Sequence, residues 1–445
     1  MNPRIAIITF PGTNGDTENL RTFWRCGFDA FVFRWNDSKE KLRDVDGYFI
    51  GAGFSYEDRG RSGMVAARDP LFQFLHEEAA KGKVVLGNCN GAQVLVESGL
   101  IPLGEGLRMS LAKNAVRKTP RLPAFANASA GRQDSKIPRK EDWVAPGFLN
   151  EWIWITPSCK RDRCATADWA GAMQIPMAHG EGRFVTKDPE LIAALEENDQ
   201  VAFRYCDASG KISEDPSITL NGSTKAIAGI CNPQGNVVAL MPHPERTVSG
   251  DPYFLSVRKW IERNSKIQAR STKQISSTKS QTSLLTTQLQ SLLTREPKPL
   301  EIFIDTIIVN NEERTVEAAA KRVSPTLTLK QFRYLAPTER KSEEVLTHLS
   351  LFNPNKERAY VRRGQQSEWF RWNAEKKILE STKSPLSATT LLRRDEPDTG
   401  ASGLGEGSES GVCYVCNGIT EQNLCSKGLQ EIFGNSHAST LERIL

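Results

Sequence analysis

Short apolar runs alternate with amphipathic stretches along the first 120 residues. The apolar runs include 5–10, 30–33, 47–50 and 84–86, and the segment 72–81 has apolar residues at helical spacing. Continuous apolar runs of this length are typical of buried parallel strands, and helices between them are typical of crossover connections. The pattern predicts an α/β domain built on a parallel sheet.

The later part of this domain has a weaker pattern. Residues 105–175 lack a steady period, although 152–155 is predicted to be a strand. Periodicity returns in 201–205, 226–230 and 237–241, which are short apolar segments separated by turn residues. We therefore assign residues 1–263 to one domain.

A change of composition follows. Residues 264–298 are rich in Ser, Thr, Gln and Lys and are predicted to be a linker, with one short helix near 283–294. Residues 299–363 follow a strand, helix, strand, helix, strand order and predict a small α+β unit. Residues 364–445 stay unassigned and are expected to be partly disordered, because 400–411 is rich in Gly and Ser.

Charge and cysteine content narrow the class of protein. The net charge is +5 and no long basic stripe is interleaved with aromatic residues, so nucleic-acid binding is not indicated. There is no apolar run long enough to span a bilayer, and the first apolar segment is too short for a signal peptide, so we expect a cytoplasmic protein. Nine cysteines, an odd number, favour reduced thiols over a disulfide framework.

Cys89 is the candidate nucleophile. It lies between a predicted strand that stops at Gly87 and a helix predicted from Ala92 to Ser98. A side chain on such a tight turn points outward, and the helix N-terminus favours a thiolate and offers amides to an oxyanion. A lone cysteine is more often a small buried residue, and it is the flanking turn that favours a catalytic role here.

His243 and Glu245 are a candidate base and its orienting carboxylate. They lie two residues apart at the end of a predicted strand, so both side chains should occupy the same face. A His-Pro-Glu run by itself is more often an ordinary loop. A catalytic role for the pair is favoured because the same chain also contains the cysteine turn.

Two segments around these residues carry a resemblance to a known family. Residues 87–93 (GNCNGAQ) and 242–246 (PHPER) resemble the nucleophile and His/Glu motifs of class I glutamine amidotransferases. More narrowly, the chain resembles the glutaminase subunit of phosphoribosylformylglycinamidine synthase, called PurQ, across residues 1 to about 260. Further matching segments are 10–14 (FPGTN), 53–58 (GFSYED), 176–183 (PMAHGEGR) and 221–223 (NGS).

The resemblance implies a three-layer, flavodoxin-like fold and roles for particular residues. Cys89 would attack the carboxamide of glutamine, His243 would relay the proton and Glu245 would hold the imidazole, and water would hydrolyse the γ-glutamyl thioester. The oxyanion hole and the glutamine pocket would be formed by Gly53, Phe54, Asn90, Gln93, His179 and Gly180. A purely structural role for His179 remains equally open.

The resemblance also implies partners. The ammonia would pass to a large synthetase subunit that converts formylglycinamide ribonucleotide to formylglycinamidine ribonucleotide in purine biosynthesis. No cofactor or metal is expected in this chain, and ATP and magnesium are expected on the large subunit, since the sequence has no Walker-type loop. Residues 299–363 resemble the small PurS subunit of the same enzyme, and an unrelated α+β module is an equal alternative.

Two departures from the family pattern stand out. Ala52 replaces a usual glycine, which would add strain if position 52 requires a positive φ. Asn88 replaces an apolar residue before the nucleophile and would bury an amide that needs partners.

Other interpretations stay open. The four residues Cys413, Cys416, Cys425 and His437 suggest zinc, but the second half of such a site is poorly spaced and we predict no metal. The chain could serve another synthetase or act as a stand-alone cysteine hydrolase of similar fold. It could also be a catalytically silent assembly scaffold, against which the intact Cys89, His243 and Glu245 argue.

Overall fold

The computed structural model describes residues 2–117, 143–271, 292–364, 368–401 and 404–444. Residues 2–271, called the first domain below, contain thirteen described strands and six described α-helices. The strands are β1 Arg4–Thr9, β2 Asp29–Arg34, β3 Gly47–Ile50, β4 Val84–Asn88, β5 Ser110–Lys113, β6 Val116–Arg117, β7 Trp143–Val144, β8 Leu149–Pro157, β9 Met173–His179, β10 Glu181–Val185, β11 Phe203–Cys206, β12 Ile227–Cys231 and β13 Val237–Leu240. The helices are α1 Asp16–Arg25, α2 Met64–Ala67, α3 Leu71–Ala80, α4 Asn90–Glu97, α5 Pro189–Glu197 and α6 Asp251–Ser271.

The first domain is organised around one nine-stranded sheet. The strand order is β2-β1-β3-β4-β13-β12-β11-β8-β9. The pairs from β2 to β13 are parallel and those from β13 to β9 are antiparallel. The α/β prediction with a parallel sheet is therefore confirmed. Strand β4 lies between β3 and β13, so its carboxyl end, where Cys89 follows, is in the middle of the sheet.

Each face of this sheet carries its own hydrophobic core. On one face, Leu75 of α3 and Leu95 of α4 pack with strand residues such as Ile8. On the other face, Phe23 of α1 and Phe254 of α6 pack with residues such as Ile7. Because Ile7 and Ile8 are consecutive in β1, they point to opposite faces. The three layers that the family resemblance implied are present.

The second half of the chain, residues 292–444, is called the C-terminal unit. Its described strands are β14 Leu293–Arg295, β15 Leu300–Thr306, β16 Thr328–Ala336, β17 Glu357–Arg363, β18 Glu368–Asn373, β19 Ile378–Ser381, β20 Thr390–Asp395, β21 Glu409–Asn417 and β22 Ser439–Ile444. Its described helices are α7 Asn311–Lys321, α8 Ser342–Thr347, α9 Glu421–Leu424 and α10 Lys427–Phe433.

All nine of these strands belong to one sheet, ordered β14-β22-β20-β21-β16-β15-β17-β18-β19. The strand, helix, strand, helix, strand order predicted for 299–363 is observed, but the unit does not end at 363. The described residues of 364–445 add five strands and two helices to it, so the expectation of an unassigned, partly disordered tail needs correction for them. The longest pairing, β16 with β21, joins segments about eighty residues apart, and no local pattern shows such a pairing.

The Gly- and Ser-rich segment that suggested disorder contains specific hydrogen bonds. The backbone amide of Ser410 donates to Oδ2 of Asp398 at 2.7 Å, and Oγ of Ser408 donates to the carbonyl oxygen of Leu404 at 2.8 Å. Small polar side chains here bond the backbone of a tight loop, as Ser and Asp do in turns.

The linker boundaries also differ from the prediction. Helix α6 continues to Ser271, beyond the predicted domain end at 263. The predicted helix near 283–294 lies mostly in 272–291, outside the described residues, and Leu293–Arg295 form strand β14. Strand β14 pairs in parallel with β22.

Within the described parts of the chain, every helix is too short or too polar to serve as a transmembrane span.

Candidate active site

Cys89 lies at a sharp turn between β4 and α4. Its backbone has φ 52° and ψ −109°, a combination that residues with a side chain rarely adopt. Two neighbouring glycines permit this turn: a Cβ on Gly87 would lie 2.4 Å from the carbonyl oxygen of Gly91, and one on Gly91 would lie 1.9 Å from that of Ile50. The strand-to-helix turn predicted at Cys89 is therefore observed, with a strained backbone. The side chain that was expected to point outward is instead buried, with only 5% of Cys89 exposed, because the backbone of Ala178 packs against its sulfur.

The thiol and the imidazole meet at the carboxyl ends of β4 and β13. Cys89 lies close enough to His243 to affect the pKa of the imidazole through charge and hydrogen bonding. Burial by itself would lower the pKa of His243, but Cys89 and Glu245 outweigh burial and raise it to about 10. An imidazole placed between a cysteine and a carboxylate is the arrangement that nucleophilic catalysis by cysteine requires.

Glu245 orients this imidazole from the other side. Its Oε1 lies 2.6 Å from Nδ1 of His243, and both side chains are buried. Because Nδ1 is taken by the carboxylate, Nε2 is the ring nitrogen left for Cys89, and it is buried without a hydrogen bond in the described structure. Burial would raise the pKa of Glu245, but the adjacent His243 lowers it below its usual range, so the carboxylate stays ionised.

Asn88 binds the second carboxylate oxygen of Glu245. Its Nδ2 donates to Oε2 of Glu245 at 3.2 Å, and its Oδ1 accepts from the hydroxyl of Tyr253 at 3.1 Å. Asn88 and Tyr253 are fully buried. The partners that a buried amide at 88 requires are therefore present, and they belong to the site. The sequence motif gave no role to Tyr253, because it lies on α6 and meets Asn88 only in the folded chain.

The segment carrying Gly53 and Phe54 runs beside the nucleophile helix. Phe54 donates its backbone amide to the carbonyl oxygen of Gly12 at 2.9 Å, so among these two residues the Gly53 amide is the better candidate for an oxyanion donor. Gly53 has φ 128°, and a Cβ there would lie 2.5 Å from the backbone nitrogen of Asn14. Ala52 is not among the described residues with a positive φ, so the strain considered for it does not arise.

Asn90 and Gln93 take part in a network that reaches the carboxylate of Asp58 and the backbone oxygen of Glu181. Nδ2 of Asn90 donates to Oε1 of Gln93 at 2.9 Å and to Oδ1 of Asp58 at 3.1 Å. Nε2 of Gln93 donates to the backbone oxygen of Glu181. Burial, aided by the nearby carboxylate of Glu181, raises the pKa of Asp58 to about 7. Asp58 lies within the matched 53–58 segment, but the sequence gave no signal of this shift.

His179 and Gly180 lie where β9 turns into β10. The ring of His179 is buried against Gly182, where a Cβ would lie 2.1 Å from the ring. Burial, aided by the charge of His243, lowers the pKa of His179 to about 3, so this ring is neutral. The backbone oxygen of the preceding Ala178 lies 3.5 Å from Sγ of Cys89, which places the turn against the nucleophile.

The two cysteines of the Cys-x-x-Cys segment lie on different faces of the C-terminal sheet. Both belong to β21, where Cys413 packs in one hydrophobic core and Cys416 in another across the sheet. Side chains on opposite faces of one strand cannot bind the same ion.

Comparisons with known proteins agree with the motifs. A family model described as a CobB/CobQ-like glutamine amidotransferase domain matches residues 2–138 and 145–270. The chain is 41% identical over 246 residues to the phosphoribosylformylglycinamidine synthase subunit PurQ of Methanothrix thermoacetophila, covering 55% of this chain and 86% of that protein. It is 37% identical over 254 residues to the protein of that name from Thermomicrobium roseum, covering 56% and 91%.

A chain in the solved structure of PurLQS from Thermotoga maritima is 27% identical and has a TM-score of 0.43. That alignment covers 59% of this chain and all of the other.

Proposed function

This chain belongs to the PurQ family of glutamine amidotransferases, and from that membership we infer that its first domain hydrolyses glutamine to glutamate and ammonia. The ammonia serves phosphoribosylformylglycinamidine synthase in purine biosynthesis. One observation carries the chemistry: Cys89, His243 and Glu245, which are far apart in the sequence, meet at the end of the central strands with the carboxylate 2.6 Å from the imidazole.

The proposed reaction proceeds in two steps. The thiolate of Cys89 attacks the side-chain carbonyl carbon of glutamine, and the backbone amides of Gly53 and Asn90 stabilise the resulting oxyanion. The imidazolium of His243 then donates its proton to the leaving nitrogen, which departs as ammonia and leaves a γ-glutamyl thioester on Cys89. In the second step His243 takes a proton from water, which attacks the thioester and releases glutamate.

The surroundings suit this cycle. A neutral His179 next to the protonated His243 adds no second positive charge to the pocket. The Asn90, Gln93 and Glu181 network lies beside the nucleophile and provides the polar groups that glutamine requires. We assign the glutamine pocket to these residues together with Gly180.

A partner subunit is expected to complete the enzyme. The relatives are named as subunits of a synthase, and the rings of Phe54 and Phe148, with centroids 6.4 Å apart, are about half exposed. An exposed aromatic pair beside the site supports a docking surface for a large synthetase subunit. We propose that this subunit binds ATP and magnesium and amidates formylglycinamide ribonucleotide. The C-terminal unit remains a PurS-like fusion or an unrelated α+β module.

Glutamate release from glutamine tests the proposal. Wild type and Cys89→Ala are compared, each with and without the large subunit. We expect wild type to release glutamate, more rapidly with the partner, and Cys89→Ala to release none. Equal inactivity of both proteins alongside a competent partner would favour the silent scaffold over the glutaminase.

A further inference from the structure

Residues 53–63, called the site loop, have an unusual backbone. Tyr56, Glu57 and Asp58 are three consecutive non-glycine residues with positive φ values of 52°, 58° and 52°. Residues with a Cβ enter this left-handed region seldom, and successive ones still less often. Such a conformation persists only when surrounding contacts fix it.

The site loop is bonded to the catalytic turn on one side. The backbone amide of Ser55 donates to Oδ1 of Asn90 at 3.0 Å, and Nδ2 of Asn90 donates to Asp58 at 3.1 Å. Asn90 directly follows Cys89, and Gly53 begins the loop. The loop therefore shares with the backbone bonds from Phe54 to Gly12 and from Asn14 to Ala52 the placement of the Gly53 amide relative to the amide of Asn90.

The other side of the loop is bonded to the C-terminal unit. Nη1 of Arg393, on β20, donates to the carbonyl oxygen of Gly60 at 2.6 Å. Nη1 of Arg59 donates to Oγ1 of Thr315, on α7, at 2.7 Å. These two bonds fix adjacent residues of the loop immediately after the three strained ones.

Further contacts join the site loop and the residues after it to the C-terminal unit. Nη1 of Arg61 donates to the carbonyl oxygen of Ile432 at 3.0 Å, while its guanidinium pairs with the buried Glu97. Met64 and Val65, which follow the loop, are buried in the same hydrophobic core as Val316 of α7. The segment that leaves the loop is thus part of the core of the C-terminal unit.

Arg393 is the central residue of the contacts between the site loop and the C-terminal unit. Its side chain is only 7% exposed, and the same Nη1 also donates to the hydroxyl of Tyr414 at 3.1 Å. A buried guanidinium is stabilised by acceptors and by opposite charge, and Nε of Arg393 lies 3.3 Å from Oδ1 of Asp395. The carbonyl oxygen of Gly60 is one of these acceptors, so Arg393 and the loop stabilise each other.

We propose that the C-terminal unit is a positioning element for the glutaminase: through Arg393 and Thr315 it holds the strained site loop so that the Gly53 amide faces the reacting carbonyl. This inference rests on the proposed function and gives the C-terminal unit a role in it. Arg393 touches no substrate and acts through the loop.

The chain offers a matched control at the same interface. Nζ of Lys187 pairs with Glu396 of the C-terminal unit at 3.0 Å but contacts no residue of the site loop in the described structure. If the unit merely adds stability, the folded fractions of Lys187→Ala and Arg393→Ala should both turn over glutamine at the wild-type rate, although Arg393→Ala is the less stable because its guanidinium is buried. If it positions the loop, only Arg393→Ala should lower kcat.

The experiment measures glutamine turnover by the full chain with its large subunit. We expect Arg393→Ala to lower kcat and kcat/KM equally, by about tenfold or more, because the lost interaction acts in the transition state. Loss of a whole oxyanion donor, about 10²- to 10³-fold, sets the upper limit. Arg393→Lys should restore part of the rate. Lys187→Ala should stay within about twofold of wild type, as an exposed ion pair contributes little.

Thr315→Val gives a second, milder variant in case Arg393→Ala does not fold. It removes the acceptor for Arg59 with little change of shape, and we expect a smaller fall of kcat in the same direction.

Alkylation of Cys89 by iodoacetamide separates positioning from damage to the nucleophile. This substitution at a saturated carbon forms no oxyanion, so its rate at Cys89, followed by mass spectrometry of the peptide, should be equal in wild type and Arg393→Ala. A parallel fall in alkylation and turnover would overturn the proposal, as would a normal kcat in both Arg393→Ala and Thr315→Val. Those results would leave the glutaminase assignment intact, whereas a wild type as inactive as Cys89→Ala would remove both.

Discussion

The side-chain amide of Asn88 donates to Oε2 of Glu245 at 3.2 Å, so the residue before Cys89 holds the carboxylate that is bonded to His243. Tyr253 in turn donates to Asn88. A chain of hydrogen bonds therefore runs from His243 through Glu245 and Asn88 to helix α6. The two halves of the catalytic site, one from β4 and one from β13, are joined by side chains as well as by backbone pairing.

Replacing Asn88 by leucine should damage both stability and activity. The change leaves Oε2 of Glu245 and the hydroxyl of Tyr253 buried without this partner, and an unsatisfied buried polar group costs about 1–3 kcal/mol. We expect the free energy of unfolding in urea to fall by about that amount. With Glu245 less well fixed, kcat should fall by about tenfold, which corresponds to about 1.4 kcal/mol in the transition state.

The matched control is Tyr253→Phe, which removes only the outer hydrogen bond and should have the smaller effect on kcat. An Asn88→Leu protein with wild-type kcat would show that Glu245 does not need the hydrogen bond from Asn88 for catalysis.

The raised pKa of His243 predicts a limit to activity at high pH. Above about 10 the imidazolium loses the proton that the leaving ammonia requires, so kcat/KM should fall as pH rises through that value. Glu245→Gln removes one of the two groups that raise this pKa, while Cys89 remains. The alkaline limb should therefore move to lower pH in the variant. The pH dependence of kcat/KM for both proteins checks this, and an unmoved limb would mean that Glu245 does not control the imidazole.

Much of the proposed catalytic site could be predicted from the sequence, because its key residues follow soon after apolar strands. The turn at Cys89 is a local feature and is observed. The prediction that His243 and Glu245 share one face of a strand is wrong, because β13 ends at Leu240 and a 3-10 turn at Pro244–Arg246 brings the carboxylate to the imidazole instead. In the sequence, Asn88 differs from a family pattern, and nothing local indicates its bond to Glu245. Its partner Tyr253 lies 165 residues away, and a contact of that range depends on how α6 packs on the sheet.

A pair of substitutions tests the backbone of the oxyanion segment. Gly53→Ala places a methyl group 2.5 Å from the backbone nitrogen of Asn14 at a φ of 128°, so the segment must move. We expect a loss of kcat of about 10²-fold or more, comparable with removal of an oxyanion donor. The neighbouring Ala52→Gly should leave kcat close to that of wild type, because Ala52 needs no positive φ. Glutamate release by the two variants decides the matter, and a marked gain of activity in Ala52→Gly would contradict this account.

The extent of the C-terminal unit could not be predicted. Strands β15 to β17 were visible as local patterns, but β20, β21 and β22 come from a segment whose Gly- and Ser-rich stretch is typical of disorder. Their place in the sheet depends on pairing with β16, which is distant in the sequence. The contact of Arg393 with Gly60 spans 333 residues, so sequence patterns could not connect this unit to the catalytic site.

Asp58 predicts a dependence of stability on pH. Its pKa is about 7 in the folded chain and close to its ordinary value of 3.8 when unfolded, so the folded state binds the proton more tightly. The stabilisation from Asp58 is complete below about pH 4 and is lost as pH rises through 7. Asp58→Asn cannot ionise, so its free energy of unfolding should not fall over this range. The free energy of unfolding of the wild type should fall by about 1.4 kcal/mol for each unit by which folding raises the pKa of Asp58. Urea unfolding of both proteins at pH 5 and pH 8 measures the difference. The variant should be more stable relative to wild type at pH 8 than at pH 5. If the difference between the two proteins is the same at both pH values, Asp58 does not titrate near neutrality.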